Sequence, residues 1–235
     1  MTPAPVVGND IVDLEDARTA GKHADRRFVE RVLAEGERVA LSREEYPAVA
    51  LWAFWAAKEA AYKVASKLLG APPVFAHSAF VVTWTDAGPE RWTGHVAYAA
   101  LEIPVVVARS GPVVHAIAAF GAEVESALSG FEPLDDPKEA WKARLAELMP
   151  SFTDREADAV HSLPSALVRI RARAALATVL TAAEADLEIV CDPGVMGRRA
   201  PRAFLHGSPT AADVSLSHHG RWIAWAALPQ NPVGR

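Results

Sequence analysis

Hydrophobic and polar positions follow two rhythms along the chain. "PVVGNDIVDL" opens with β-branched residues, breaks at Gly8 and ends in carboxylates, which predicts a short strand running into a loop. "HADRRFVERVLAEGERVAL" spaces its apolar residues at helical intervals and sets arginines on the other face. "LWAFWAAKEAAYKVASKLL", from Leu51, predicts a long alanine-rich helix, stopped by Gly70 and the Pro72–Pro73 pair. The segments "AFVVTW", "GHVAYAALEI" and "PVVHAIAAF" then read as strands. Between Gly121 and Pro150 the polar, turn-bearing "SGFEPLDDP" and a short helix, "KEAWKARLAELM", read as a linker.

Beyond it the programme restarts. "FTDREADAVHSL" echoes "VLAEGERVALSREEY", and "SALVRIRARAALATVL" takes the place of the long alanine-rich helix. Strand-like "DLEIVCD" and "RAFLHG" follow, and "ADVSLSHHGRWIAWAAL" stands where the first half has "GPVVHAIAAF". The order of elements predicts an α+β fold of two similar halves, each a long helix on a small antiparallel sheet. The expected divisions are 1–122, a linker with a short helix at 123–150, and a second half at 151–235.

Composition narrows the classes. A chain of 235 residues with 51% hydrophobic and 23% charged residues has an ordinary globular balance. A net charge of −5 gives no dominant basic stripe, so nucleic acid is not an expected partner. Cys191 is the only cysteine, which rules out an intrachain disulfide and a cysteine zinc cluster. "MTPAPVVGND" lacks the pattern of a signal peptide, and no uncharged apolar run is long enough to span a membrane. The expectation is a soluble, cytoplasmic protein.

The chemistry-bearing residues fall in three places. Asp10 ends a strand and Glu59 sits on the long helix; two carboxylates from separate elements can converge on a hard divalent cation. The plainer alternative has Asp10 capping a turn and Glu59 pairing with Lys63 one helical turn later. Lys58 and Lys63 could each reach a phosphate near the helix face, or simply lay their stems over apolar surface. In "VSLSHHG" the alternation puts Ser215, Ser217 and His219 on one face and Leu216 and His218 on the other. No Gly-x-Ser-x-Gly elbow supports a serine hydrolase, and adjacent strand histidines point apart, which disfavours zinc. Arg173, Arg198, Arg199 and Arg202 add positive charge to the same half, or are merely solvated.

Taken together, these segments resemble one family. "GNDIVDL" followed by "WAAKEAAYK" is similar to the paired signatures of the 4′-phosphopantetheinyl transferases, and "RFVERVL" resembles a helix of the small holo-acyl-carrier-protein synthases. "VSLSHHGRWIAWA" resembles the family's Ser-His strand, and "GRRAPRAFLHG" its Gly-Lys-Pro segment. The resemblance implies a pseudo-dimeric fold and a monomeric enzyme. It implies transfer of 4′-phosphopantetheine from coenzyme A to a serine of an acyl, polyketide or peptidyl carrier protein, releasing adenosine 3′,5′-bisphosphate. Mg²⁺ would be held by Asp10 and Glu59, and Glu59 would be the base, directly or through a water on the metal. Lys58, Lys63, Ser217, His218, Arg173 and Arg198 would hold coenzyme A. Arg26, Arg27 and Arg31 would dock an acidic carrier. Two features depart from the pattern of the surfactin-synthetase-type members: the Ser-His half follows the Lys-Glu half instead of preceding it, and Val12 stands where they carry a further acid. Asn9 also replaces a more usual apolar or small residue. A non-catalytic binder of coenzyme A or a carrier, and a metal-dependent hydrolase of related diphosphates, are the alternative readings.

Overall fold

The computed structural model describes residues 4–74, 76–194 and 197–229. Strand β1 (Val6–Asp13) opens the fold, and two short helices, α1 (Arg26–Val32) and α2 (Glu35–Leu41), lead into the long α3 (Pro47–Leu68). The run from His23 to Leu41, expected as one helix, is broken at Leu33 and Ala34, both in extended conformation. The second helix restarts because the Glu37 carboxylate accepts the Ala34 N–H at 2.6 Å. A meander of β2 (Val81–Ala87), β3 (Arg91–Tyr98), β4 (Leu101–Ser110) and β5 (Val113–Phe120) completes an antiparallel sheet in the order β1-β5-β4-β3-β2. Small residues let α3 lie close to this sheet. At Gly8 a Cβ would stand 2.0 Å from the Ala60 carbonyl oxygen, so only glycine fits.

The second half comprises β6 (Leu128–Pro133), α4 (Trp141–Leu148), α5 (Asp154–Ala157), α6 (Leu163–Leu180) and β7 (Leu187–Val190). The short strands β8 (Pro193–Gly194), β9 (Gly197–Arg198), β10 (Arg202–Leu205) and β11 (Ser208–Pro209) follow, then β12 (Ala212–His219) and β13 (Trp222–Pro229). They form sheets ordered β12-β13-β6 and β11-β10-β7 and a β8-β9 ribbon. In both halves the opening strand pairs antiparallel with the closing one, β1 with β5 and β6 with β13. Helix α6, capped by Ser162, packs on β12 and β13 as α3 packs on β1 and β5.

One boundary is corrected. The expected linker at 123–150 contains β6, whose residues Leu128–Pro133 pair with Trp222–Ala227. Its turn-forming residues hid it: Gly130 is there because a Cβ would come within 2.7 Å of the Trp225 ring. β6 therefore belongs with the sheet of β12 and β13.

The two halves meet along β1. On one side Val7 packs with Ala226 and Leu228, and Ile11 with Val113 and Ala224. Along its outer edge, the N–H groups of Val7, Asn9, Ile11 and Asp13 find no strand partner. They donate instead to side chains of β12: Asp213 Oδ2 (2.7 Å), Ser215 Oγ (2.9 Å), Ser217 Oγ (3.2 Å) and His219 Nδ1 (3.1 Å). Two lysines one turn apart on α3 complete the seam. Lys67 Nζ donates to the carbonyls of Val7 and Val214, both at 2.7 Å, and Lys63 Nζ to that of Asn9 at 2.6 Å. A sheet edge is thus satisfied without a backbone ladder. Among the described residues, no helix is long and apolar enough to cross a membrane.

Candidate active site

Alternation along β1 turns Gly8 toward α3, and Asp10 with it. Asp10 Oδ1 accepts the Ser217 hydroxyl at 2.9 Å and the Lys63 ammonium at 3.2 Å. Burial pushes its pKa up to about 6; the Lys63 charge pulls against that rise, the Glu59 charge adds to it, and the Ser217 hydrogen bond lowers it. Glu59 lies one turn before Lys63 on α3, with its side chain 22% exposed and Oε1 standing 3.3 Å from His77 Nε2. Two carboxylates that repel one another and offer only oxygen suit a hard cation. Mg²⁺ takes one or two carboxylates and draws its remaining ligands from water and substrate phosphates. No group of three or more His, Cys, Asp or Glu residues able to hold a metal occurs among the described residues. The donor set fits a cation shared with a substrate, not one caged by protein.

Beside the carboxylates a cleft of about 490 Å³ opens between the C-terminal half of α3, the 198–202 segment and β12. Lys63, Lys67, Arg198, Arg199 and Arg202 line it, with Asp213. Lys67 is spent on Asp213, at 2.6 Å, and on the seam carbonyls. Arg198 donates to the carbonyls of Cys191 and Asp158. Such a basic trough can hold a polyanion, and Lys63, which lines it, also reaches Asp10 at 3.2 Å.

The structure brings Asp10, Glu59, Lys63 and Ser217 together, sets Arg198 on the cleft that Lys63 also lines, and corrects two expectations. Lys58 does not face the site. Its ammonium is fully buried and donates to Glu37 (2.6 Å), the Phe80 carbonyl (2.6 Å) and the His77 carbonyl (3.1 Å), leaving nothing for a phosphate. Arg173 is likewise committed elsewhere, because its guanidinium clamps the buried Glu156 carboxylate, donates to the Ser151 carbonyl and covers the Phe152 ring. His218 is exposed on the opposite side of β12 from the seam. Loss of hydration, helped by the charges of Lys63, His219 and Arg169, holds its pKa below the ordinary imidazole range.

Helix α1 presents Arg26, paired with Glu30, and exposed Arg27, while Arg31 lies over the Phe28 ring. Phe28 stacks on Trp55, and Trp55 lies against His77, next to Glu59. The basic helix therefore adjoins the carboxylates. Asn9 also gains a setting: fully buried between the sheets, its Nδ2 is 3.4 Å from His115 Nε2, and burial pushes His115 down to about 4. Sequence reasoning missed Glu37, His77, Lys67 and Asp213. A signal existed for two of them, since Lys67 continues the Lys63 face by four residues and Asp213 begins the polar alternation of β12.

Residues 6–117 match the family model described as ACPS, 4′-phosphopantetheinyl transferase superfamily. Among solved structures, the chain is similar to one titled holo-acyl-carrier-protein synthase from Neisseria meningitidis, with 18% identity and a TM-score of 0.39, covering 51% of this chain and 98% of that one. Comparison with curated proteins finds no match. The family match runs from β1 into β5 and contains Asp10, Glu59 and Lys63. The likeness to the 4′-phosphopantetheinyl transferase superfamily thus spans residues 6–117, just under half of the chain.

Proposed function

We propose that the protein transfers 4′-phosphopantetheine from coenzyme A to a serine of a carrier protein, as a monomer acting in the cytoplasm. The observation that carries this reading is the pair Asp10 and Glu59, inside the stretch that matches the superfamily, with Lys63 reaching from Asp10 to the wall of a basic cleft. Arg199 and Arg202 hold the phosphates of coenzyme A, partly exposed Lys63 and Arg198 join them by exchanging carbonyl partners for phosphate oxygens, and His218 contributes from the far side of β12. Asp10 and Glu59 would hold Mg²⁺, which when bound would neutralise charge on the 5′-phosphate of the departing adenosine 3′,5′-bisphosphate. Glu59 accepts the proton of the carrier serine as its oxygen attacks the phosphorus that bears the pantetheine arm. The bond from that phosphorus to the bridging oxygen breaks, and adenosine 3′,5′-bisphosphate leaves. Arg26, Arg27 and Arg31 on α1 draw in an acidic carrier, whose serine then lies near Glu59.

Incubation with coenzyme A, Mg²⁺ and a panel of apo-carriers, read by intact mass, tests the reaction. The expected result is a carrier heavier by one phosphopantetheine, and the carriers that react name the pathway. Coenzyme A cleaved without carrier modification would make the protein a hydrolase; coenzyme A bound but unchanged would make it a binding relative.

A further inference from the structure

We infer that His77 is a positioning residue for Glu59, holding the carboxylate in the orientation that the proposed transfer requires. The catalytic part of its test rests on the transferase reading. His77 belongs to a single 3₁₀ turn, His77–Ala79, beyond the end of α3. Its Nε2 stands 3.3 Å from Glu59 Oε1, and its ring lies 4.1 Å, centroid to centroid, from that of Trp55. Trp55 and Glu59 are four residues apart on α3, so one helix face offers both a platform for the imidazole and the carboxylate that it meets. Its main chain is fixed too, because the His77 carbonyl accepts the buried Lys58 ammonium at 3.1 Å. That ammonium is held by Glu37, whose Oε1 accepts the Val82 N–H at 2.6 Å. The buried ion pair serves as a pedestal for the turn and carries the imidazole to Glu59.

Fixing matters for this glutamate. Its side chain is partly open and long enough to sample several rotamers, whereas a base must stay near one geometry to work. At 3.3 Å the imidazole crowds Oε1 without an aligned hydrogen bond, and a small turn of either side chain makes one, which limits those rotamers and leaves Oε2 for the cation or the serine. Lys63, one turn on, is turned to Asp10 and the Asn9 carbonyl, so the anchoring of Glu59 falls to His77.

Two substitutions separate positioning from packing. His77→Phe keeps a ring on Trp55 and removes the N–H; His77→Gln removes the ring and keeps an N–H within reach. At saturating coenzyme A and carrier, kcat is expected to fall about ten-fold in His77→Phe, the order of one lost hydrogen bond. The KM for coenzyme A should stay near that of the parent, and His77→Gln should recover most of the rate. Parent-like turnover by the Phe variant with a poor Gln variant would overturn the inference. A second readout needs no activity: urea midpoints of His77→Phe, Glu59→Gln and the double variant. Non-additive shifts are expected for side chains in contact, and additive shifts would overturn it. A parent inert toward every carrier would sink the transferase reading alone, and the midpoints would still decide the contact.

Discussion

Asp10 is held in a state that opposes its own ionisation. Its folded pKa of about 6 lies above the 3.8 of a free aspartate, so between those values the folded chain binds more protons than the unfolded one. Its contribution to stability is present at low pH and is lost as pH rises through about 6. Asp10→Asn has no such slope, so the stability of the variant relative to the parent should climb from about pH 4 to about pH 6, by up to roughly 3 kcal/mol. Urea unfolding across that window measures it; a flat difference would show that Asp10 titrates alike in the folded and unfolded chain. His115 works the other way, since a pKa pushed down to about 4 adds stability as pH rises, which flattens the parent's own profile. At Glu59, the amide of Glu59→Gln should leave the fold intact and cut kcat by about 10²–10⁴-fold at saturating coenzyme A and Mg²⁺. Undiminished turnover would reduce Glu59 to a neighbour of His77. Asp10, Glu59 and Lys63, which the structure sets near one another, stood out in the sequence through the resemblance of "GNDIVDL" and "WAAKEAAYK" to paired family signatures, since their spacing alone favoured a plain salt bridge and apolar cover. Lys58 and Arg173 were misread because their partners, Glu37 and Glu156, arrive from helices 21 and 17 residues away.

At the scale of elements, α3 explains why a lysine sits in the middle of an apolar run. Lys58 is the buried end of a bond to α2, and Lys58→Met would strand the Glu37 carboxylate away from water. Losing one partner of a buried pair costs about 3–5 kcal/mol, whereas Lys58→Met with Glu37→Gln removes both charges and should restore much of it. Denaturant midpoints of the single and double variants decide the point, and a harmless single variant would show that water reaches Glu37. The approach of β1 to α3 is equally demanding. Gly8→Ala drives a methyl into the Ala60 carbonyl, so β1 must shift outward and strain every seam bond at once. Its expected signature is a large fall in melting temperature with loss of transfer; an unshifted melt would mean that the strand and helix have slack. Apolar spacing revealed α3, α6 and most strands. It concealed β6, whose glycine, proline and glutamate serve a strand that packs under Trp225 and also look like a turn.

The whole molecule is two helix-on-sheet layers joined along β1. The order of elements made the two halves legible, but their join was not, because Asp213, Ser215, Ser217 and His219 act on backbone groups that carry no sequence signature. Since the cleft draws Lys63 and Lys67 from one half and Arg198 and Arg202 from the other, separate expression of 1–122 and 123–235 should give two inactive pieces. The first should run larger than one chain on size exclusion, because its β1 edge is bare and open to another copy. Full activity from 1–122 alone would refute a site shared between halves.

The seam also sets a clock. Each donor on β1 is matched by an acceptor 206 residues later, so the strand made early is finished by one made late. At about 5–20 residues per second, the outer edge of β1 leaves the ribosome roughly 10–40 s before β12 is available to cover it. Throughout that interval the nascent chain exposes a row of unmatched N–H groups on a β-branched strand. The ribosome-bound chain, more than the finished protein, is therefore the species for which a chaperone or a slow codon would matter.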